Sequence, residues 1–457
     1  MRVPLPLPLE IALARGAGRL SRLARRGGGT TIPGKILWLL DPRAIERLAA
    51  RLPLGSALVS ATNGKTTTTA MVAEIVQRRV ELAHNSAGAN LVSGVASALL
   101  ARDGAQLGLF EVDEGALPEV ARRVRPRAVC LGNLFRDQLD RWGELELVAD
   151  RWRAMVAELP RDAVTVVNGD DPQVGYLAET ARRAVVFGLD DPRHATPLPH
   201  AADSRWCVRC GTPYRYEAAY VGHLGDYACP ACGHVRPALD LVARAIELDG
   251  LEASSFDLVT PDWTRRIRLP LPGLYNVYNA TGAAALAREL GASADEIVRG
   301  LEGFAPAFGR FERIAVGDRE VVVLLVKNPA GGNEVVRTLL AGGPPPRAVV
   351  ALNDAIADGQ DVSWIWDVDW EPLLARLEGV VVTGSRAAEL AVRFVYGGFD
   401  ASAVELVPDL EGALDRGLEL TPAGGRLFVL PTYTAMLALR EVVTARGFTR
   451  PYWEDAA

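Results

Sequence analysis

Ala57-Leu58-Val59-Ser60-Ala61-Thr62-Asn63-Gly64-Lys65-Thr66-Thr67-Thr68 is the stretch whose reading decides the fold. Ala57-Leu58-Val59 is a short apolar run of the kind that forms a buried strand, and residues 69–76 carry helical spacing. A strand, a Gly-Lys-Thr turn and a helix together make the setting of a phosphate-binding loop. Backbone N–H groups at the helix start point at an anion, and the helix dipole adds to the attraction. In that reading Thr62, Asn63, Gly64 and Thr67 line the phosphate cradle and Lys65 reaches the outer phosphates as a point charge. The Thr66 hydroxyl sits on Mg²⁺. The general pattern has a glycine five residues before Gly64, where this chain has Val59. A plain strand–helix turn is the bland alternative.

Downstream of the loop the pattern alternates strand and helix. Residues 106–112 read as a buried strand ending in Glu111-Val112-Asp113-Glu114-Gly115. Carboxylates at the carboxyl end of a strand in an open α/β sheet face the ligand crevice. Glu111 is therefore a candidate Mg²⁺ ligand, directly or through water, whereas Asp113 and Glu114 read as caps of the next helix. Ala128-Val129-Cys130-Leu131 is a further strand, in which Cys130 reads as a small buried apolar residue rather than a nucleophile. Residues 164–167 lead into Asn168-Gly169-Asp170-Asp171-Pro172, repeating the strand-then-acid pattern.

Cys207-x2-Cys210 and Cys229-x2-Cys232 are separated by eighteen residues. Each pair can form a knuckle, and four thiolates complete a tetrahedral zinc shell. Four protein ligands close the site, so zinc here is structural. His223 and His234 read as surface residues. Past residue 305, residues 321–326, 348–352, 380–386 and 426–434 form strand-to-loop units of a second open α/β sheet.

At the start of the chain Ile11, Leu13, Leu20 and Leu23 alternate with Arg15, Arg19, Arg22, Arg25 and Arg26. One reading is a helix on an anionic membrane surface. The simpler one is a helix packed on the next domain with solvated arginines. The expected organisation is a basic amphipathic segment and lead-in helix over 1–50, and a central ATP-binding domain over 51–305 with a zinc-ribbon insert at 204–236. A smaller α/β domain over 306–457 completes it.

The 457 residues are nearly half apolar, enough for a large core, and the net charge of −6 lacks the basic excess of a nucleic-acid-binding protein. No apolar run reaches bilayer-spanning length, and Pro4, Pro6, Pro8 and Glu10 interrupt the N-terminal apolar stretch where a signal peptide would not be interrupted. A cytoplasmic location is expected, where five cysteines point to metal rather than disulfides.

The Ala61-Thr62-Asn63-Gly64-Lys65 loop, Glu111, the 133–143 loop, Asn168-Gly169-Asp170-Asp171-Pro172 and Leu274-Tyr275-Asn276-Val277-Tyr278-Asn279-Ala280 resemble the central domain of the Mur ligases. That resemblance accounts for the missing glycine. It implies Asn279 at the adenine and, through Gly309-Arg310-Phe311-Glu312, a linker arginine that approaches the nucleotide. Two departures stand out. Asp137-Gln138-Leu139-Asp140 replaces the usual Asp-His-Leu-Asp, and residues 144–156 contain no lysine for carbamylation.

Lys327-Asn328-Pro329-Ala330-Gly331, Leu352-Asn353-Asp354, Asp358-Gly359-Gln360-Asp361-Val362-Ser363-Trp364-Ile365-Trp366-Asp367 and Thr383-Gly384-Ser385-Arg386-Ala387 are similar to the MurT family. These are the Mur-ligase-like subunits of lipid II isoglutaminyl synthases. The resemblance implies an ATP-dependent ligase that activates the α-carboxylate of D-glutamate in lipid II, at the inner membrane face, as an acyl phosphate. Ammonia from a GatD-like glutaminase subunit then gives D-isoglutamine. Lys65, with Mg²⁺ on Thr66 and Glu111, suits the charge shift of that transfer. In this family an aspartate matching Asp361 resembles the acid that orients the glutaminase Cys–His pair across the interface. On residue chemistry alone, Asp361 and Ser363 cap a turn around Trp364 and Trp366. Two further readings stay open: a free-standing Mur- or folylpolyglutamate-type amino-acid ligase, and a zinc-ribbon nucleotide-binding module acting on nucleic acid.

Overall fold

Strand β1 (Ser56–Ser60) is buried at every position, the pattern of a parallel strand covered on both faces. It lies in a computed structural model that describes residues 7–23, 31–85, 89–137, 143–199, 202–305, 310–343 and 347–450. Three helices precede it: α1 (Leu7–Leu23), α2 (Ile32–Leu40) and α3 (Ala44–Ala49). After it come α4 (Lys65–Val76), β2 (Leu82–His84), α5 (Val92–Ala101), β3 (Leu107–Glu111), α6 (Leu117–Val124), β4 (Ala128–Leu131), α7 (Leu145–Glu158), β5 (Val164–Asn168) and β6 (Ala184–Leu189). A separate hairpin, β7 (Arg215–Val221) and β8 (Leu224–Ala228), interrupts the alternation. Then follow β9 (Leu241–Asp249), β10 (Ala253–Val259), β11 (Thr264–Leu269), α8 (Leu274–Glu289) and α9 (Ala294–Glu302).

The main sheet runs β11-β10-β9-β6-β5-β4-β1-β3-β2. It is parallel from β2 to β9, and β10 and β11 add an antiparallel edge. β1 pairs with β3 on one side and β4 on the other. The loop after β1 therefore opens at the point where strand order reverses, where open α/β sheets bind ligands.

The second sheet is built from β12 (Arg310–Val316), β13 (Arg319–Leu324), β14 (Arg347–Ala351), β15 (Gly379–Thr383), β16 (Val404–Leu406) and β17 (Arg426–Pro431). Its order is β12-β13-β17-β14-β15-β16, parallel except for β12. Helices α10 (Pro329–Ala341), α11 (Ala387–Tyr396), α12 (Leu410–Leu420) and α13 (Tyr433–Ala445) cover it. One apolar core runs unbroken from Val59 and Met71 through Val277 to Val326, Val335 and Trp370, so the two sheets share packing beneath the phosphate loop.

At the N-terminus the simpler reading matches the packing. Leu7, Glu10 and Ala14 of α1 are buried, and a Cβ at Gly18 would come 2.6 Å from Pro33 Cγ, so α1 packs closely on α2. Arg15 donates to the Leu100 carbonyl and pairs with Asp103. The side chains of Arg19, Arg22, Arg25 and Arg26 lie outside the described residues.

Candidate nucleotide site between the two sheets

Gly64 adopts φ 87°, and a Cβ there would come 2.0 Å from Asn279 Oδ1. Both backbone conformation and space therefore demand glycine. The loop is braced from the β4 side: Asn63 N–H donates to Asn133 Oδ1 at 2.9 Å, and Thr62 Oγ1 accepts from Phe135 N–H at 3.1 Å. Thr67 is buried and Thr66 half-buried at the start of α4.

Lys65 is 7% exposed, with Nζ 3.1 Å from Glu114 Oε2 and 3.2 Å from the Ala61 carbonyl. Burial alone would depress its pKa. The carboxylates of Glu114, Glu111, Asp113 and Asp137 outweigh it and hold Lys65 above the ordinary lysine value. Burial likewise acts to raise Glu114, but Lys65 and Lys327 overcome it and keep this carboxyl below its usual range. The expectation that Asp113 and Glu114 cap the next helix is thus corrected. A turn intervenes before α6, whose N-cap is Ala116 with no side-chain cap bond, and Asp113 instead accepts from Gly115 N–H. The turn aims Glu114 inward, and Trp152 Nε1 fixes its carbonyl at 2.9 Å. Glu111 ends β3 at 3% exposure, its backbone held on both sides by the Asn85 amide.

A cavity of about 130 Å³ extends from this loop between the sheets. Thr62, Asn63, Gly64, Lys65 and Thr67 give it polar lining, and Phe135, Val221, Leu224, Tyr275, Phe311, Leu324 and Val335 give it apolar lining. Asn276 and Asn279 line it from α8; Asn279 donates to Asn276 Oδ1 at 3.2 Å and accepts from Thr68 Oγ1 at 3.3 Å. Lys327 enters from the second sheet and pairs with Asp137, while Asn328 meets Asn63. The Arg310 side chain and residues 138–142, with the Gln138-Leu139-Asp140 departure, lie outside the described residues.

The four cysteines converge. Their sulfurs all lie within 4.8 Å of one another, with Cys207···Cys232 at 3.6 Å and Cys210···Cys229 at 3.5 Å. Sulfurs held ~2.3 Å from one tetrahedral zinc stand about 3.8 Å apart, so the donor set fits Zn²⁺. His223 and His234 are not surface residues: they are 0% and 4% exposed. The hairpin folds back on the main sheet, where His223 Nε2 faces Asp171 Oδ2 at 3.3 Å and His234 Nδ1 meets the Tyr214 hydroxyl at 2.7 Å. Cys130 is 1% exposed, and burial pushes its thiol up to about 12, which leaves it inert.

Asp361 lies elsewhere. It is exposed, and its carboxylate accepts from Ser363 N–H at 2.8 Å, a bond that holds it below the usual carboxylate range. Beyond it Trp366 stacks edge-on against the exposed Tyr396, ring centroids 5.8 Å apart. Asp361, Ser363, Trp364 and Asp367 line a second cavity of about 80 Å³ with Arg136, Asp137, Lys327 and Asn328. Asp361 and Lys65 are therefore not brought together; Lys327 lines both cavities. Glu114, Lys327, Asn328, Val221 and Leu224 were not singled out as site residues from the sequence. The signals that could have found them were a carboxylate just past β3 for Glu114 and the strand-to-loop motif Lys327-Asn328-Pro329-Ala330-Gly331 for Lys327 and Asn328.

Comparison with known proteins bears on this arrangement. The Mur ligase middle domain matches residues 59–204, and the MurT ligase C-terminal domain matches residues 325–436. Among solved structures, a pseudomurein peptide ligase type C from Methanothermus fervidus superposes with a TM-score of 0.69 at 20% identity, covering 89% of this chain and 81% of that one. MurF from Thermotoga maritima, solved in complex with ADP, superposes with a TM-score of 0.63 at 14% identity, covering 91% and 84%. Both show the fold. The lipid II isoglutaminyl synthase (glutamine-hydrolyzing) subunit MurT of Streptococcus pneumoniae is 32% identical over 97% of this chain and 99% of its own length. Its counterpart in Staphylococcus aureus strain N315 is 30% identical over 94% and 96%. With a Mur-ligase core, a second domain of the MurT type and a match along essentially the whole of such a relative, the chain belongs to the MurT family of lipid II isoglutaminyl synthase subunits.

Proposed function

We propose that this chain is the ATP-using subunit of a lipid II amidating enzyme. The observation that carries the reading is the cavity lined by Lys65 and its loop from the first sheet and by Lys327 from the second, with Asn328 bonded to Asn63 of the loop beside it. A substrate carboxylate oxygen attacks the γ-phosphorus of ATP, the bond to the β-phosphate oxygen breaks, and ADP leaves. Ammonia then attacks the acyl carbon, the C–O bond to phosphate breaks, and the amide forms with loss of a proton and phosphate. Lys65 leaves Glu114 to neutralise the outer phosphates, and Lys327 holds a second positive charge where the acyl phosphate forms. Thr66 and Glu111 would hold Mg²⁺, which would supply further screening of the phosphate charge. Thr62, Asn63, Gly64 and Thr67 cradle the phosphates. Asn279 and Arg310 belong to the nucleotide side of the site. Cys207, Cys210, Cys229 and Cys232 hold structural zinc.

The nitrogen comes from a GatD-like glutaminase. Its docking face is the exposed Asp361 with the Trp366–Tyr396 pair, Asp361 orienting the partner's catalytic pair. The natural division is 1–50, 51–305 and 306–457. No helix among the described residues is long and apolar enough to cross a membrane. The chain works at the cytoplasmic membrane face, where its lipid-linked substrate lies. Leu9 and Leu13, exposed one turn apart on α1, with Leu39 and Leu40 of α2, offer an apolar contact there.

The test uses lipid II labelled with ¹⁸O in the D-glutamate α-carboxylate, ATP and ammonium chloride. One label in the released phosphate per amide formed is expected. Unlabelled phosphate excludes the acyl phosphate, and product formed only with an added amino acid moves the chain to the ordinary ligases.

A further inference from the structure

The hairpin that carries the cysteines has two ends. At its open end are the four thiols. Cys229 directly follows β8, and its N–H donates to the His234 carbonyl at 2.7 Å, while Cys207 N–H donates to the Thr212 carbonyl at 2.8 Å. At its closed end, Val221 finishes β7 and Leu224 begins β8, and both side chains line the cavity beside Phe135. Val221 is 4% and Leu224 1% exposed.

The closed end is wedged in place from three directions. His223 faces Asp171, Gly225 N–H donates to the Asp170 carbonyl at 2.8 Å, and Arg337 of α10 donates to the Tyr220 carbonyl. Gly222 adopts φ 58°, and a Cβ there would come 2.8 Å from Phe135 Cε1. No side chain but hydrogen fits between tip and ring.

We infer that Val221 and Leu224 are base-pocket residues, and that zinc at the far end of the same two strands sets the affinity of the site for purine nucleotide. This rests on the nucleotide reading of the cavity. The tip contacts hold Val221 and Leu224 against the cavity only while β7 and β8 keep their register, and two strands by themselves fix it weakly, so an open end without its metal lets them slip and loosens that wall. The phosphate loop does not depend on the hairpin for its own backbone bonds, so the loss falls on the base end of the ligand. A flat, weakly polar ring is what such an apolar wall recognises.

The experiment measures binding of MgADP and of magnesium tripolyphosphate to the full chain by calorimetry, with zinc content and a melting curve for each protein. The variants are Leu224→Ala, the near-isosteric Val221→Thr, Cys229→Ser and Lys65→Ala. Losing apolar contact with the base is expected to weaken MgADP about tenfold in Leu224→Ala and severalfold in Val221→Thr, with tripolyphosphate unchanged and zinc retained. Cys229→Ser should lose zinc and weaken MgADP by a similar factor, again sparing tripolyphosphate. Unchanged MgADP affinity in the folded, zinc-loaded Leu224→Ala and Val221→Thr proteins overturns the inference. An equal loss of both ligands also overturns it, because the hairpin would then act on the whole site. Lys65→Ala separates the two claims: if it binds both ligands as the native chain does, the nucleotide reading itself fails.

Discussion

Asn63 in the phosphate loop and Asn328 at the start of α10 exchange two side-chain hydrogen bonds, Nδ2 of each to Oδ1 of the other, at 3.2 and 3.0 Å. They stand 265 residues apart and come from different sheets. Asn328 Oδ1 also accepts from Gly331 N–H, capping α10, and the neighbouring Lys327 pairs with Asp137. The two domains are thus latched at the place where phosphates would lie.

Replacing Asn328 with alanine removes the latch and the cap together. Each neutral hydrogen bond contributes about 1 kcal/mol. The expected result is a KM for ATP raised roughly five- to thirtyfold, with a smaller change in kcat. Steady-state kinetics with ammonium chloride check it; an unchanged KM means that the contact contributes nothing to closure around nucleotide.

Glu114→Gln leaves Lys65 charged and buried without its partner. Breaking a buried pair from one side costs about 3–5 kcal/mol. The melting temperature should fall, and MgADP should restore it by more than it stabilises the native chain, because phosphates take over the neutralising role. A variant that melts as the native protein does, with the same response to MgADP, would separate Glu114 from Lys65 functionally.

Thiol counting tests the metal site. With zinc bound, no rapid reaction with a thiol reagent at neutral pH is expected. After chelation four of the five cysteines should react, Cys130 remaining silent until denaturant is added. Four fast thiols in the untreated protein would show that no metal is held.

Asp361→Asn should reduce glutamine-dependent amidation in the assembled enzyme about 10⁴-fold, the loss typical of an orienting acid removed from a catalytic triad. Ammonium-dependent amidation should stay within about twofold, since Asp361 lies in a different cavity from Lys65. Equal losses with both nitrogen sources assign Asp361 to the ligase site or to the fold.

The features read correctly from sequence are local ones. The β1 strand and Gly-Lys-Thr turn, the alternating elements of both sheets, and the paired C-x2-C spacing each depend on a few adjacent residues, and each appears where expected. What sequence did not reveal depends on approach across the fold. Glu114 follows a strand and precedes a helix, so it reads as a cap; only the intervening turn directs it to Lys65. His223 and His234 lie in a polar stretch and read as exposed, yet hairpin folding buries both. The tip of that hairpin meets Phe135, and Asn328 meets Asn63, through contacts with no periodicity to announce them.

The most direct test of the account is amidation of lipid II with ATP by this chain, with ammonium chloride and then with glutamine, each with and without the glutaminase subunit. Amidation with ammonium by the chain alone, and with glutamine only when the partner is present, is the predicted result. Inactivity with ammonium under all conditions, alongside ATP-dependent attachment of an amino acid, would contradict it.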